Sequence, residues 1–258
     1  MVDQINLNAD MGESFGAYSI GDDEALLKIV RSANVACGFH AGDARTMYRL
    51  VTRAKEEGVS VGAHPGFDDL WGFGRRRIDM SPEDLEYAVA YQIGALQAIA
   101  SYASLEVTHV KPHGALNNMA AEDADLAMAV GRAIRTVDRD LIYVALSGSE
   151  MERAAEKLGL AVAREAFADR TYEDDGNLTP RDVPDSVIRD PRVARENVMR
   201  MVQRQEIVSR SGKRLARRID TVCVHGDETT AAALARAVRE GLEETGIRIV
   251  TLTELGIG

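Results

Sequence analysis

Short apolar runs alternate with longer amphipathic stretches along the chain. The runs have the length and composition of buried strands, and they occupy residues 5–9, 34–37, 59–63, 107–111, 141–146, 161–167, 221–224 and 247–252. Most of the stretches between them have the period of helices that carry one apolar face. This alternation is typical of βα units around a parallel sheet.

Capping residues mark two of the predicted helices. One helix is predicted to begin after Asp43 and to stop at Gly58, and another to begin at Pro82 after the cap residue Ser81. The second helix carries an apolar face that should pack on the sheet, formed by Leu85, Val89, Leu96 and Ile99.

Periodicity alone does not distinguish a closed barrel from an open doubly wound sheet. Polar and titratable residues, however, follow most of the predicted strands. Only a closed barrel brings so many strand ends around one mouth. We therefore predict an α/β fold, a distorted TIM-like barrel of seven or eight βα units, with residues 1–258 forming a single domain.

Composition narrows the choice of partners and compartment. The chain has 258 residues, of which 45% are hydrophobic and 28% charged, so it can bury a sizeable core. A formal net charge of −10 argues against nucleic acid or an anionic membrane as a partner, because either would require clustered Lys and Arg. No apolar stretch has the length of a membrane span, and the N-terminus lacks the pattern of a signal peptide. We expect a cytoplasmic protein.

The cysteines Cys37 and Cys223 both lie inside apolar runs. This placement favours buried, reduced thiols over a disulfide framework. A thiol beside the functional site is the alternative interpretation.

Two segments without a regular apolar period are predicted to be long loops, residues 66–80 and 170–191. The first contains Trp71 and the arginines of Arg75-Arg76-Arg77, and the second is rich in proline and acidic residues. Loops of this length in a compact domain are usually functional lids. A solvated surface excursion is the alternative.

Histidines and carboxylates are concentrated at the ends of the apolar runs. Asp10 and Glu13 flank Gly12 after the first run, a spacing that lets both carboxylates face one cavity, where they could bind a divalent cation or position a water molecule. A lone histidine is more often structural than a ligand, but four with the same placement indicate one shared polar site. These four are His40, His64, His113 and His225.

The fourth run adds a lysine. In a strand, Lys111 and His113 would lie on the same side, which places an ammonium beside an imidazole. Such a cation disfavours protonation of the ring and could neutralise an oxyanion or a phosphate. His109 lies deeper in the same strand and is predicted to be a hydrogen-bonded core residue.

Common nucleotide, zinc and serine-hydrolase motifs are absent from the sequence. Ser211-Gly212-Lys213-Arg214 lacks the glycine loop and the Ser or Thr of a Walker A motif. The sequence is compatible with a metal ion held by Asp and His side chains from several strands. Any ATP site must be of another kind or on another chain.

Seven segments, taken in order, resemble the LamB/YcsF family, which supplies the A subunit of bacterial ATP-dependent 5-oxoprolinase. They are LNADMGE at 7–13, NVACGFHAGD at 34–43, GAHPG at 62–66, GFGRR at 72–76, KPHGAL at 111–116, EAFADR at 165–170 and VHGD at 224–227. Each segment is weak alone, whereas the ordered set is highly specific. One departure is that Asn117 and Asn118 follow KPHGAL, where the family usually has tyrosine.

The resemblance implies a barrel related to polysaccharide deacetylases and other glycoside-processing barrels. It further implies cleavage of 5-oxo-L-proline to L-glutamate coupled to hydrolysis of ATP to ADP and phosphate, together with two other subunits, B and C. Mg²⁺ would accompany ATP, and a protein-bound divalent metal is a further expectation. Phosphorylation of the lactam carbonyl oxygen would create an activated carbon that water can attack.

On this hypothesis, each group of residues receives a role. Asp10 and Glu13 would hold a metal or the attacking water, His113 or His225 would act as the base, and Lys111 would offset developing negative charge. The predicted catalytic residues are Asp10, Glu13, Lys111, His113 and His225. The predicted metal ligands are His40, His64 and Asp10. The predicted contacts to substrate or phosphate are Asn8, Asp43, Arg75, Glu165, Asp169, Arg170 and Asp227.

Two other functions are compatible with the same residues. A stand-alone metal-dependent amidohydrolase or deacetylase would be active without ATP and would lose activity to a chelator. A non-catalytic subunit that binds a small acid would be stabilised by its ligand and would show no turnover in any assembly.

Overall fold

The structure, a computed structural model, describes residues 2–227 and 229–257. The strands in these ranges are β1 (Gln4–Met11), β2 (Ser32–Ala36), β3 (Ser60–His64), β4 (Val107–Val110), β5 (Ile142–Leu146), β6 (Val162–Phe167), β7 (Glu206–Val208), β8 (Arg214–Ala216), β9 (Thr221–His225) and β10 (Arg248–Ile249). The helices are α1 (Asp23–Leu27), α2 (Ala44–Glu57), α3 (Pro82–Tyr102), α4 (Gly114–Glu122), α5 (Ala124–Val137), α6 (Glu150–Leu158), α7 (Pro191–Arg204) and α8 (Ala231–Glu244). Among the helices described, none is both long and apolar enough to cross a membrane.

Seven of the described strands close into a parallel barrel. Strands β1 to β6 pair in chain order, and β9 pairs with both β6 and β1. Asp10 on β1 is thereby the register partner of Asn34 on β2 and of His225 on β9. The closed ring confirms the predicted TIM-like barrel and excludes the open sheet.

The barrel is distorted where β3, β4 and β5 meet. The register of β3 against β4 shifts between Val61 and Gly62, and β4 shares only two register pairs with β5. β10 pairs with β1 outside the ring.

Both predicted helix starts are confirmed. The Asp43 side chain accepts from the backbone N–H groups of Arg45 and Thr46 at the start of α2, and Gly58 ends that helix with a φ of 65°. Ser81 caps α3 by accepting from the N–H of Asp84. Segment 66–80 contains no helix or extended strand, as predicted, and the predicted loop 170–191 contains none before Pro191, which is the first residue of α7.

Two features of the sheet differ from the prediction. The last strand spans only Arg248–Ile249, because the Val250 carbonyl accepts from the Asn6 side chain and the Glu254 carboxylate takes the N–H of Thr251. A 3₁₀ turn follows over Thr253–Leu255. The short hairpin of β7 and β8 was not predicted, since its strands are too short to show an alternating pattern.

The two faces of β1 have different surroundings. Ile5, Leu7 and other odd-numbered residues belong to the large apolar core under the helices. The alternate residues Asn6, Asn8 and Asp10 are also buried, but they bond to side chains of other barrel strands. A small second apolar cluster, on β5 and β6 with Leu252, lies apart from the main core. β1 therefore carries a polar network on one face and an apolar core on the other.

Gly62→Ala should destabilise the fold, because a Cβ at residue 62 would lie 2.1 Å from Cδ2 of His109. That ring is buried and is held by Thr108 and Asn34, so it has little freedom to move. Overpacking of this kind costs about 1–3 kcal/mol, and we expect the upper end. Urea unfolding should show a lower midpoint.

The matched control is Gly94→Ala in the interior of α3, where a Cβ would meet no heavy atom within 4 Å. Alanine has the higher helix propensity, so this variant should be stabilised by up to about 1 kcal/mol. Equal unfolding midpoints for the two variants would contradict the packing argument.

Candidate active site at the carboxyl end of the barrel

The carboxyl ends of the strands open into a cavity of about 510 Å³. Its floor includes Asp10 from β1, His64 from β3, Lys111 and His113 after β4, and His225 from β9. The two long loops supply arginines to its wall: Arg75, Arg77, Arg170 and Arg181. Five of the predicted strand-end residues thus line one cavity, whereas His40 and Glu13 are not part of its lining.

A buried charged cluster centres on Lys111, whose side chain is 2% exposed. Its ammonium lies 2.7 Å from Asp10 Oδ1, 3.2 Å from Glu165 Oε1 and 2.8 Å from the sulfur of Cys223. Asn34 donates to the same oxygen of Asp10, at 2.9 Å. The lysine is therefore surrounded by acceptors from three strands.

Electrostatics keep Asp10 and Lys111 charged. Burial raises the pKa of Asp10, but His64 and Lys111 outweigh it and hold that pKa well below its usual range. Burial likewise lowers the pKa of Lys111, and Asp10, Cys223 and Glu165 reverse the effect. Glu165 differs, because burial raises its pKa to about 7 in spite of Lys111. The cluster is thus an ion pair with a carboxyl group that can exchange a proton near neutral pH.

Three histidines and Glu13 form a second buried group. His64 Nδ1 lies 2.6 Å from the carbonyl oxygen of Lys111, and His113 Nε2 lies 2.8 Å from that of Phe73. The remaining nitrogens of these two rings, His64 Nε2 and His113 Nδ1, are 3.0 Å apart. The His40 ring stacks on that of His113 with a centroid distance of 3.7 Å.

Glu13 reaches this group through one oxygen. Glu13 Oε1 lies 3.5 Å from His40 Nε2 and 3.7 Å from His113 Nδ1. One ligand atom from each of Glu13, His40, His64 and His113 lies within 4.8 Å of the others, so these residues could hold a metal ion.

This group differs from the predicted ligand set of His40, His64 and Asp10. Asp10 Oδ2 lies 3.4 Å from His64 Nε2, beside the group, while Asp10 Oδ1 is bound by Lys111 and Asn34. Glu13 and His113 occupy the positions nearest to His40 instead.

His225 is oriented by Asp169. Its Nδ1 lies 2.9 Å from Asp169 Oδ2, its ring stacks on Phe167, and its backbone N–H donates to the same carboxylate. Burial raises the pKa of Asp169, but the histidine outweighs this and lowers it overall. Asp169 therefore fixes the orientation of the His225 ring through Nδ1.

The remaining predicted residues are placed as follows. Arg75 lies 2.8 Å from Asp227, and Arg170 donates to the carbonyls of Thr179 and Ser186 inside the second loop. Asn8 does not line the cavity; it donates to Glu165 Oε1 at 3.1 Å. Asp43 also lies outside the cavity lining, because its carboxylate caps α2 and accepts from Gly16.

Some features of the site were missed or only partly anticipated. Asn34 was not singled out, yet it bridges Asp10, Asn8 and His109. Its signal in the sequence is a polar residue inside an apolar run. The thiol of Cys223 lies beside the site, which was the alternative interpretation of the cysteines. Cys37 is a core residue.

Lys111 and His113 are linked through other residues rather than through a direct bond between their side chains. Asp10 contacts Lys111 through one oxygen and approaches His64 with the other, and His64 faces His113. His109 has the predicted core role, with Nε2 3.0 Å from Asn34.

Comparison with known proteins places this arrangement in a family. Residues 5–256 match the model of the LamB/YcsF family. The chain belongs to the LamB/YcsF family. This LamB/YcsF protein is 54% identical over 248 residues to the A subunit of 5-oxoprolinase from Rhodopseudomonas palustris BisB5, an alignment that covers 96% of this chain and 98% of that protein.

Solved structures agree with the assignment. A lactam utilization protein from Thermus thermophilus is 45% identical, with a TM-score of 0.90 and coverage of 96% of this chain and 99% of that one. The catalytic domain of a peptidoglycan N-acetylglucosamine deacetylase from Eubacterium rectale has a TM-score of 0.53 at 11% identity, covering 99% of this chain and 91% of that one. The second likeness shows a shared fold alone, which agrees with the predicted barrel.

Glu165→Gln should change how stability depends on pH. Glu165 faces Lys111, Asp10, Asn8, Cys223 and Tyr172, and its pKa rises from 4.5 to about 7 on folding. The folded state therefore holds the proton more tightly, and ionisation of Glu165 costs stability as the pH rises through this range. The full cost is about 3 kcal/mol above pH 7.

The variant lacks this cost, so relative to the parent it should gain stability between pH 5 and pH 8 in urea unfolding. Glu106→Gln, at an exposed position, is the control and should show a constant difference from the parent. A constant difference for Glu165→Gln as well would show that Glu165 does not titrate in this range.

Proposed function

We propose that this chain is the A subunit of an ATP-dependent 5-oxoprolinase, which opens 5-oxo-L-proline to L-glutamate while ATP is hydrolysed to ADP and phosphate. The observation that carries the proposal is the near full-length similarity to proteins named as the A subunit of 5-oxoprolinase. The relative named as a lactam utilization protein supports the same class of substrate. The proposal includes Mg²⁺ with ATP and two partner subunits, B and C.

The cavity suits a small anionic lactam. Its volume of about 510 Å³ lies within the usual range for small-molecule sites. 5-Oxoproline carries one carboxylate, and guanidinium groups bind carboxylates and phosphates through paired hydrogen bonds. Arg75 and Arg170 line the wall, and Asp227 holds the first of them in place. We assign these arginines to the substrate carboxylate or to a phosphate.

Opening of the lactam requires a positive group for the carbonyl oxygen and a base for water. The ammonium of Lys111 lies on the cavity floor and would offset charge on that oxygen, an effect commonly worth about 3–4 kcal/mol. His225 is the better base of the two predicted, since Asp169 binds its Nδ1 and leaves Nε2 available. His113 is engaged on both sides, by Phe73 and by His64.

The atoms balance over the whole reaction. One water adds across the ring C–N bond, so the carbonyl carbon becomes the glutamate side-chain carboxylate and the ring nitrogen becomes the free amine. A second water is consumed in the conversion of ATP to ADP and phosphate. We place the ATP-coupled step in the assembly of the three subunits rather than in a nucleotide site of this chain.

The test is the release of glutamate and ADP from 5-oxoproline, ATP and Mg²⁺, measured with this chain alone and with subunits B and C from the same cell. We expect both products only in the mixture. No product from a mixture in which the partners are folded and bound would overturn the proposal. Amide hydrolysis without ATP that a chelator abolishes would favour the amidohydrolase or deacetylase function. Stabilisation by ligand without any turnover would favour a binding subunit.

Lys111→Met should lower turnover by about a hundredfold or more in the complete assembly, because it removes the cation nearest to the developing charge. It also leaves the ionised Asp10 buried without its counter-ion, which costs about 3–5 kcal/mol of stability. The double variant Lys111→Met with Asp10→Asn removes one charge of each sign and should fold better while staying equally inactive.

Lys157→Met is the control, since Lys157 is exposed on α6. It should leave turnover unchanged. Wild-type turnover from a folded double variant would remove Lys111 from the mechanism.

A further inference from the structure

We infer that Glu13, His40, His64 and His113 form a resident site for one late first-row divalent metal ion, with Zn²⁺ as the best match. This ion is separate from the Mg²⁺ that would accompany ATP. The inference goes beyond the proposed function and does not depend on it, because it rests on the buried donor atoms alone.

The four donors come from four consecutive strand ends of a closed barrel. Glu13 follows β1, His40 follows β2, His64 ends β3 and His113 follows β4. In a tetrahedral site with bonds of 2.0–2.1 Å, neighbouring ligand atoms lie about 3.3–3.4 Å apart. Three of the six separations between the four ligand atoms, 3.0, 3.5 and 3.7 Å, bracket this value, and all six are within 4.8 Å. Small shifts of the side chains would therefore complete the site.

The hydrogen positions on the rings of His64 and His113 also support a bound cation. A backbone carbonyl oxygen can only accept, so His64 Nδ1 and His113 Nε2 must carry hydrogens that they donate to Lys111 and Phe73. In the neutral rings, the facing nitrogens then present two lone pairs to each other at 3.0 Å. That contact is repulsive unless a cation lies between or beside them. Carbonyl groups that orient histidine rings in this way are typical of the surroundings of metal ligands.

Three other atoms of the group lack hydrogen bonds. Glu13 Oε1 and both ring nitrogens of His40 are buried without a hydrogen-bond partner in the structure. A buried polar atom left in this state costs about 1–3 kcal/mol. A metal ion that binds Glu13 Oε1 and one nitrogen of His40 would supply the missing partner for two of the three.

Glycines of the 66–80 loop fix which nitrogen of His40 is the ligand. A Cβ at Gly66 would lie 2.8 Å from His40 Nδ1, and one at Gly74 would lie 2.6 Å from His40 Cβ and 2.8 Å from His113 Cδ2. The loop backbone thus packs against the Nδ1 side of His40, whereas Nε2 faces Glu13. The absence of side chains at Gly66 and Gly74 lets the loop enclose the donors.

The donor set selects the class of metal. Three imidazole nitrogens and one carboxylate suit Zn²⁺ and its first-row neighbours, whereas Mg²⁺ and Ca²⁺ prefer oxygen ligands. The site lies beside the cavity, because His64 and His113 are part of the cavity floor. Bound there, such an ion would act as a Lewis acid next to the Asp10 and Lys111 pair.

The experiment uses the full chain, first stripped with EDTA, then incubated with ZnSO₄ or MgCl₂ and desalted. We expect about one equivalent of zinc per chain by elemental analysis, with a rise in the thermal unfolding temperature, and neither effect with magnesium. The readouts are metal content and stability, so they stand whether or not the chain supports 5-oxoprolinase activity.

Variants locate the ion. His40→Ala and the nearly isosteric Glu13→Gln should each weaken zinc binding by roughly a hundredfold or more, and circular dichroism should show that they are folded. His225→Ala is the matched control, because this histidine lines the same cavity outside the donor group, and it should retain zinc.

Two outcomes would overturn the inference. One is a stripped parent chain that retains no zinc, which would mean that a proton rather than a metal separates the facing rings of His64 and His113. The other is unchanged zinc binding in both the His40→Ala and the Glu13→Gln variants, or loss of zinc only in His225→Ala.

Discussion

The buried ion pair of Lys111 and Asp10 is the constraint around which the barrel is organised. Removing an ammonium and a carboxylate from water costs several kcal/mol for each ion, and only well-placed partners repay that cost. Here the partners come from β1, β2, β6 and β9, through Asp10, Asn34, Glu165 and Cys223. β1, β6 and β9 surround the ammonium only if the sheet closes, which the pairing of β9 with β1 accomplishes. Closure of the barrel and stabilisation of the charge therefore depend on each other.

A network of side-chain amides and hydroxyls extends this arrangement down the barrel. Asn34 donates to Asp10 and to Asn8, Asn8 donates to Glu165 and Thr221, and Thr221 donates to Asn6. A buried polar network is stable only when nearly every member is satisfied. Because each amide bridges two strands, the network penalises any slip in register and fixes the heights at which the strand-end groups emerge into the cavity.

The sequence predicts the elements and the location of the site better than it predicts the partners within it. Apolar runs that end in histidine were enough to infer a barrel with one polar mouth, because parallel strands bring like ends together. The sequence does not predict that Asp10 and Glu13 contact different partners. Gly12 adopts a φ of 70°, and Asp10 then faces Lys111 while Glu13 reaches His40. The carbonyl of Phe73, which accepts from His113, belongs to the 66–80 loop. No local sequence pattern predicts the path of this loop, so the contact could not be predicted.

His64 joins the Lys111 cluster to the donor group of Glu13, His40, His64 and His113. One of its nitrogens is fixed by the carbonyl of Lys111, and the other lies 3.4 Å from Asp10 and 3.0 Å from His113. A cation held by His64 and His113 would compete with Lys111 for the charge of Asp10. The stability of the Lys111 cluster and the stability of the donor group therefore depend on each other. Residues that share a partner in this way show non-additive effects when both are changed. The Lys111 cluster and the donor group of Glu13, His40, His64 and His113 are thus two halves of one site, and the orientation of the His64 ring sets the balance between them.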